Sequence, residues 1–467
     1  MDVEALSRLQ FAFTIGFHYI YPPLSIGLGA MLVFMEGMYL KTGNPIYEVM
    51  TRFWIRIFAL IFGIGVATGI IMEFEFGTNW AAYSKYVGDV FGSALASEGL
   101  FAFALEAGFL GLLLFGWNKV SRKVHFFATI MVAFGSIFSA VWIVVANSWQ
   151  QTPAGFHIVG EGIHARAEIT DFWAMVFNPS SMDRLLHVII AAFLAGAFLV
   201  LSVNAYYILK NKFTDIARAG FKIALLFATI SSLLQLYSGD RSATKVSIYQ
   251  PAKLAAFEGH YDSSSKADLF LVGVTNPHTQ QTTGLHIPGG LSFLLYGDFN
   301  RHVTGLNAFA KDVRPGDKET RFVFQTYHLM VLCGFLMIGL CLLGCFLWWR
   351  KKIFNYRWLM IVFCFSVLIP QIANQVGWYS AEVGRQPWVV YGLLKTSAGL
   401  TRSLKEGQVL FSLILFAVVY FMLFLLFIYM MNKKIKQGPV ADVVETVSEG
   451  NKRNSIYQAG GDGEPGK

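Results

Sequence analysis

The sequence contains few charged residues. Of its 467 residues, 14% are Asp, Glu, Lys or Arg, while 55% are hydrophobic. An average soluble domain carries about 25% charged residues, so this composition excludes an ordinary soluble protein and places the chain in the membrane class. The net charge is +8, but the basic residues form short clusters beside apolar runs. That pattern indicates membrane topology rather than a nucleic-acid partner.

Cysteine is also scarce, with four residues that all fall inside apolar runs. There is no CxxC pair, so the sequence offers neither a disulfide framework nor a zinc knuckle. There is no CxxCH either, so any haem must be bound noncovalently. The acidic start, MDVEALSRLQ, precedes an apolar run too long for a signal peptide, and we expect the first helix to be a permanent span.

The apolar runs predict an all-α polytopic membrane protein with about nine transmembrane helices, because a span needs about 20 mostly apolar residues. The predicted spans lie near 9–37, 52–73, 91–117, 124–149, 182–209, 217–237, 322–350, 356–379 and 408–432.

Basic clusters fall in alternate loops and after the last span, which predicts that the N-terminus is outside and the C-terminus is cytoplasmic. The clusters are Lys119, Arg122 and Lys123; Lys210, Lys212 and Arg218; Arg350, Lys351, Lys352 and Arg357; and Lys433, Lys434 and Lys436.

The chain divides into four predicted parts. Residues 1–237 hold six spans, 238–321 form a long outer loop, 322–432 hold three spans, and 433–467 form a polar, Gly-rich cytoplasmic tail that we expect to be disordered. A loop as long as 238–321 is a functional candidate.

Two histidines and one methionine in the spans are candidate haem ligands. A lone histidine such as His18, in the first span, either hydrogen-bonds a neighbouring helix or ligates haem iron through a neutral imidazole. His187 begins the fifth span among small residues that permit close approach. Met330, near the start of the seventh span, reads by default as a core residue. His187 and Met330 would nevertheless lie at matching outer depths, where they could clamp one six-coordinate haem.

Carboxyl groups inside spans are costly and are therefore functional candidates. On a uniform α-helix, Glu98 and Glu106 would lie about 80° apart around the axis and about 12 Å apart along it. This spacing suits a proton relay, the alternative being two carboxyls paired with cations elsewhere. Glu382 and Arg385, after the eighth span, form either an ordinary interfacial ion pair or a carboxylate haem ligand beside a propionate-binding guanidinium.

The outer loop contains the segment QPAKLAAFEGHY, which predicts a short helix with Pro251 at its first position and Gly259 beyond its end. Lys253 and Glu258 are the charges that could meet a quinol head group. On an ideal helix they diverge by about 140°, so both can face one ligand only if the helix ends before Glu258.

These residues resemble subunit I of the cytochrome bd oxidases over nearly the whole chain, up to about residue 430. The motifs that carry the resemblance are LSRLQFAFTIGFH, GTNWAAYSKYVGDVFG, ASEGLFAFALE, NSWQQTPAG, QPAKLAAFEG, GLSFLLYGD and above all GWYSAEVGRQPW. Gln150 replaces the Met that is common in the NSWMQTP form of the fourth motif, and His328 takes the place of an Arg near Met330.

The resemblance implies a terminal respiratory oxidase that oxidises a membrane quinol and reduces O2 to water with three haems, two of type b and the third of type d or b. It implies that His187 and Met330 ligate the low-spin haem, and that His18 and Glu382 ligate the two high-spin haems in an order that stays open. Glu98 and Glu106 would conduct protons, and Arg385 and Trp378 would lie against haems. Lys253 and Glu258 would match the quinol pair.

The resemblance further implies a bacterial cell (inner) membrane location and a second membrane subunit, with a small single-helix subunit also allowed for. The quinol, ubiquinol or menaquinol, stays open. Proton motive force would arise from charge separation without pumping. Two rival functions are a haem-containing quinol dehydrogenase that passes electrons onward and a proton-coupled transporter.

Overall fold

A computed structural model describes residues 2–439, and this part of the chain is helical apart from short hairpins. The α-helices are α1 (Val3–His18), α2 (Tyr21–Thr42), α3 (Pro45–Thr78), α4 (Ala81–Tyr86), α5 (Gly88–Ser97), α6 (Ala104–Phe115), α7 (Arg122–Gln151), α8 (Phe172–Val176), α9 (Ser181–Leu209), α10 (Thr214–Tyr249), α11 (Pro251–Glu258), α12 (Gly290–Tyr296), α13 (Asp317–Trp349), α14 (Arg357–Phe365), α15 (Leu368–Val383) and α16 (Glu406–Gln437).

Eight short strands pair into four antiparallel two-stranded sheets, β1 with β2, β3 with β6, β4 with β5 and β7 with β8. They are β1 (Phe156–Val159), β2 (Arg166–Ile169), β3 (Ser264–Ser265), β4 (Leu269–Asn276), β5 (Gln281–Ile287), β6 (His302–Val303), β7 (Trp388–Val390) and β8 (Leu394–Lys395).

Within residues 2–439, nine helical stretches are long and apolar enough to cross a membrane, which confirms the predicted fold class. Six of them are single helices: α3, α7, α9, α10, α13 and α16. The other three combine neighbouring helices. The first joins α1 and α2, the third joins α5 and α6, and the eighth joins α14 and α15.

The break between α1 and α2 places His18 at a helix end. Two prolines, Pro22 and Pro23, stand in the first turn of α2. Proline lacks a backbone N–H and is tolerated at the start of a helix but not in its interior. The chain therefore ends α1 at His18 and begins a new helix at Tyr21.

A second irregularity lies between the two carboxyls of the third span. Residues Glu98–Phe103 form a π-helical segment, in which the Ala104 N–H donates to the Gly99 carbonyl. Because a π-turn holds more residues than an α-turn, the rotation predicted from uniform α-geometry does not apply to this span.

Close packing of α2 against α9 fixes the centre of the bundle. A Cβ added at Gly27 would lie 2.1 Å from the Ala192 carbonyl oxygen, and one added at Gly196 would lie 2.3 Å from the Gly27 carbonyl carbon. Only glycine allows the two backbones to approach this closely. The largest apolar core extends from this crossing through α3, α10, α13 and α14.

Two predicted boundaries differ from the structure. Helix α10 continues past 237, the predicted end of the sixth span, to Tyr249. A helix need not end at the membrane surface, and the outer end of α10 packs against α11 and α12. Helix α16 likewise continues past 432 to Gln437. The rest of the predicted tail, from 440 onward, lies outside the described residues.

Candidate functional site

Hydrogen bonds to neighbouring hydroxyls determine which ring nitrogen carries the proton in His18 and in His187. Nδ1 of His18 lies 2.9 Å from Oγ1 of Thr68, and that hydroxyl lies 3.0 Å from the Ile64 carbonyl, to which it can donate. A hydroxyl that donates to a carbonyl accepts from the imidazole, so the hydrogen bonds assign the proton of His18 to Nδ1. Nε2 is left as the basic nitrogen, the arrangement that orients histidine ligands.

The same pattern recurs at His187 in the fifth span. Its Nδ1 lies 3.0 Å from Oγ of Ser238, which donates to the Gln235 carbonyl at 3.1 Å. Nε2 again carries the lone pair, and the Gln235 amide nitrogen lies 3.1 Å from it. The same amide nitrogen lies 3.2 Å from Nδ1, so it would have to move before Nε2 could bind a metal.

Each of these candidate ligands packs against a glycine. A Cβ added at Gly69 would lie 3.2 Å from the His18 ring, one added at Gly239 would lie 3.8 Å from the His187 ring, and one added at Gly377 would lie 2.6 Å from Sδ of Met330. The absence of a Cβ at these positions allows the three side chains to approach the neighbouring helix backbones closely.

Helix α15 connects these positions. Gly377 of this helix contacts Met330. One helical turn or less away, the Gln375 amide donates to the Gly16 carbonyl at 2.7 Å, and Gly16 lies two residues before His18. The same helix carries Glu382. It also carries Trp378, whose half-buried ring is tilted against Tyr379 with centroids 5.1 Å apart.

Glu382 lies at the centre of a buried polar network. One carboxylate oxygen accepts from the Asn147 amide at 3.0 Å and from the Gln151 amide at 3.3 Å. The other accepts a short hydrogen bond from Arg385. Three of about four lone-pair positions are thus used, which leaves the carboxylate capacity for one more ligand.

The network holds more positive than negative charge. Arg385, Lys253 and Arg184 all act on the single carboxylate of Glu382. Arg184 donates to Asn147 at 3.2 Å, and Nζ of Lys253 donates to Gln151 at 3.0 Å. Buried cations in excess need an anionic partner. The carboxylate groups of a haem would supply it, so the donor set fits a haem with its propionates directed here.

Arg184, Asn147 and Gln151 were not singled out from the sequence. The available signals were an arginine one helical turn before His187 and two amides one turn apart in the NSWQQTP motif. Gln150, the residue that departs from the common motif, accepts from Arg385 at 2.7 Å and donates to the Tyr83 hydroxyl.

Glu98 and Glu106 both point to α7. Glu98 accepts from Ser139 at 2.6 Å, and Glu106 accepts a short hydrogen bond from Ser136. The two serines are three residues apart and share one face of α7. The carboxyls therefore lie on one side of their own span, as a relay requires, although the geometry between them differs from the uniform helix.

The outer-loop helix α11 has the predicted ends, with Pro251 in its first turn and Gly259 in the left-handed conformation (φ 58°) beyond Glu258. Lys253 points to Gln151, whereas Glu258 accepts a hydrogen bond from the Tyr327 hydroxyl. The helix includes Glu258, so the two side chains take different partners, as the angular argument required.

Both charges of α11 are buried, and each pKa is displaced toward the neutral form. Burial raises the pKa of Glu258 to about 8, against a smaller opposite effect of the Tyr327 hydrogen bond. Burial and the neighbouring Arg184 charge lower the pKa of Lys253 well below its usual value. One oxygen of Glu258 has no hydrogen-bond partner and is free to accept one.

Residues 2–439 contain no cluster of three or more His, Cys, Asp or Glu side chains that could hold a metal ion. The candidate ligands instead stand singly on different helices. Haem suits such a set, because the macrocycle supplies four ligands and the protein only one or two.

The fold defines a helical membrane protein that carries its candidate imidazole, thioether and carboxylate ligands singly on different helices. Comparison with known proteins gives the family. Residues 6–439 match the family model for cytochrome bd terminal oxidase subunit I, and the chain belongs to that family.

Three relatives illustrate the similarity. Cytochrome bd ubiquinol oxidase subunit 1 of Bacillus subtilis (strain 168) is 37% identical over 450 residues, covering 95% of each chain. Cytochrome bd-II ubiquinol oxidase subunit 1 of Escherichia coli (strain K12) is 34% identical, covering 94% of this chain and 98% of the relative. In the solved bd oxidase from Geobacillus thermodenitrificans, a chain 29% identical superposes with a TM-score of 0.85, covering 93% of this chain and 99% of that one.

Proposed function

We propose that this subunit oxidises a membrane quinol on its outer side and reduces O2 to water within the membrane. The oxidase class follows from the family. The observation that carries the finer proposal is the polar network around Glu382, in which two arginines and a lysine act on one carboxylate beside the helices that bear the candidate ligands.

The ligand roles are proposed residue by residue. His187 and Met330 would hold a low-spin haem b, and His18 and Glu382 would hold the two high-spin haems, one of type b and one of type d or b. Bound haem supplies the one-electron chemistry and an open iron position for O2. Arg385 and Arg184 would bind propionates, and Trp378 would pack against a macrocycle.

Proton delivery is proposed along α7. Its residues Ser136, Ser139 and Asn147 bond Glu106, Glu98 and Glu382 in that order. With the rise of an α-helix, Ser136 and Ser139 are about 4.5 Å apart and Asn147 lies about 12 Å further along. Protons from the cytoplasmic side would pass Glu106 and then Glu98 before they reach the Glu382 region, with water bridging the longer interval.

Quinol oxidation is proposed at α11. The free oxygen of Glu258 would accept a proton from a quinol hydroxyl. Lys253 faces Gln151 from a different side of α11, so it would act on the site through that amide instead of bonding the same ring. A base whose pKa lies near the working pH is well suited to such a transfer. The released protons would leave on the outer side, so oxidation outside and proton uptake inside would separate charge without a pump.

The remaining assignments complete the proposal. The N-terminus would be outside, the C-terminus cytoplasmic and the chain located in a bacterial inner membrane. A second membrane subunit, with or without a small single-helix subunit, would cover the largely exposed third span, Gly88–Phe115, which carries Glu98 and Glu106. Ubiquinol or menaquinol would serve as the donor.

Oxygen uptake by the purified complex in the presence of a short-chain quinol tests the proposal. His187→Ala should remove the low-spin haem signal and lower quinol-driven uptake by roughly tenfold or more, as loss of a metal ligand does. His157→Ala, in the exposed hairpin β1–β2, is the matched control. Undiminished uptake in His187→Ala, with the low-spin signal intact, would refute the ligand assignment.

A further inference from the structure

The outer loop presents an apolar surface that the site does not use. Six large side chains, 40% to 66% exposed, form what we call the outer apolar patch: Val272, Leu285, Ile287, Phe293, Leu294 and Tyr296. The first three belong to the hairpin β4–β5 and the last three to α12. From 269 to 297 the sequence has no Asp, Glu, Lys or Arg, so the patch is uncharged throughout.

Each element of the patch already buries its opposite side. In the hairpin, Thr275 is fully buried and its partner Thr282 donates to the Gly259 carbonyl at 2.6 Å, while Val272 and Leu285 pair on the other face. In α12, Leu291 and Leu295 pack inward beside Leu254 of α11. Elements that bury one apolar face normally expose a polar one, so a second apolar face indicates a second apolar neighbour.

The base of the hairpin, at one side of the patch, lies near the depth expected for the membrane boundary. Helix α13 ends at Trp349 before the basic residues 350–352, and a hydrocarbon core spanned by about 20 residues would then begin near Met330. The base of the hairpin lies at this level, because the Phe270 carbonyl accepts from His328 at 2.9 Å. The hairpin tip lies higher, where Gln280 donates to Asp317 at 3.2 Å.

The patch is also continuous with further exposed apolar surface. Helix α12 packs on the outer end of α10, whose residues Ile248 and Tyr249 are exposed. Aromatic and aliphatic side chains at this level suit the interface between headgroups and acyl chains. An apolar patch of this kind in water would favour aggregation.

We propose that the outer apolar patch lies in the outer lipid leaflet, so that α12 and the base of β4–β5 anchor the loop to the membrane. The hairpin tip stands in water. The anchor is a property of the loop surface and does not depend on what the loop binds.

The test uses the complete complex, with its partner subunit, in phosphatidylcholine vesicles. A single cysteine replaces Phe293 or Leu285, or, as the matched control at the hairpin tip, Thr279, and carries an environment-sensitive fluorophore. The labelled parent protein, with its four native cysteines, gives the background, and haem absorbance verifies each fold. Quenching is measured with lipids brominated on the upper acyl chain and with aqueous iodide.

Bromolipid should quench the labels at 293 and 285 severalfold more than the label at 279, and iodide should show the reverse order. Iodide quenching of all three labels would place the patch in water and overturn the proposal. Labels at 293 and 285 that neither quencher reaches would mean that protein covers the patch, which would also overturn it. Two labelled positions keep the test decisive if one variant fails to assemble.

Discussion

The side chain of Gln151 connects the charged groups Lys253 and Glu382. Among residues 2–439, no carboxylate lies within hydrogen-bond distance of Lys253, which donates to the Gln151 amide oxygen instead. Gln151 also donates to Glu382, so one amide links the loop helix to the candidate haem ligand. A change at the quinol loop is therefore two hydrogen bonds away from Glu382.

The pKa of Glu258 predicts how quinol oxidation depends on pH. Burial raises this pKa to about 8, so the carboxylate that accepts the proton becomes more populated as pH rises through that value. We expect kcat/KM for quinol to increase between about pH 7 and pH 9 in the native complex, measured as initial oxygen uptake at each pH.

Glu258→Gln should lower kcat/KM by roughly two orders of magnitude and abolish that rise, since the amide cannot accept the proton. Glu258→Asp is the matched variant and should keep a rise, shifted along the pH axis. An unchanged pH profile in Glu258→Gln would assign the proton acceptor elsewhere.

Glu106 provides a second prediction at this scale. Glu106→Gln should slow turnover by roughly one to two orders of magnitude while anaerobic reduction of the haems by quinol stays fast, because only proton uptake is impaired. Stopped-flow absorbance separates the two steps. Glu161→Gln, in an exposed loop, is the control, and equal slowing of haem reduction in Glu106→Gln would indicate a general structural defect instead.

Helices α7 and α15 organise the site at the level of elements. Helix α7 carries hydrogen-bond partners of Glu98, Glu106 and Glu382. Helix α15 carries Glu382 itself and contacts both Met330 and Gly16. The apolar periodicity of the sequence does not predict these contacts of α7 and α15. Periodicity reports which positions are apolar, whereas these contacts depend on which helices become neighbours.

The π-helical segment is the clearest local departure from expectation. The stretch EGLFAF reads as ordinary apolar helix, and no residue in it demands the wider turn. The sequence therefore could not predict the angle between Glu98 and Glu106 around their span. Their hydrogen bonds with Ser139 and Ser136 show that both side chains face α7.

Close packing of α15 against α13 predicts the effect of a single methyl group. Gly377→Ala would place a Cβ 2.6 Å from Sδ of Met330, so the thioether must move. We expect the low-spin haem band in the reduced spectrum to weaken or to shift toward a high-spin form. Gly334→Ala on α13, where an added Cβ meets nothing within 4 Å, is the control. A normal low-spin band in Gly377→Ala would argue against Met330 as a ligand.

For the molecule as a whole, length and apolarity were sufficient to predict nine spans, because a bilayer imposes one length on every helix that crosses it. They were not sufficient to predict where each helix ends, since α10 continues past the predicted end of its span to Tyr249. The ligand candidates were visible because ionisable groups are rare in spans. The supporting amides and Arg184 were not, since their importance arises only from assembly around Glu382.

The central claim is that this chain carries both a six-coordinate haem and a haem site open to O2. The most direct measurement is the dithionite-reduced minus oxidised visible spectrum of the purified complex, repeated after addition of carbon monoxide. We expect b-type bands of which a fraction shifts with carbon monoxide, and a far-red band if one haem is of type d. A spectrum without haem bands, or with bands that carbon monoxide leaves unchanged, would contradict the account.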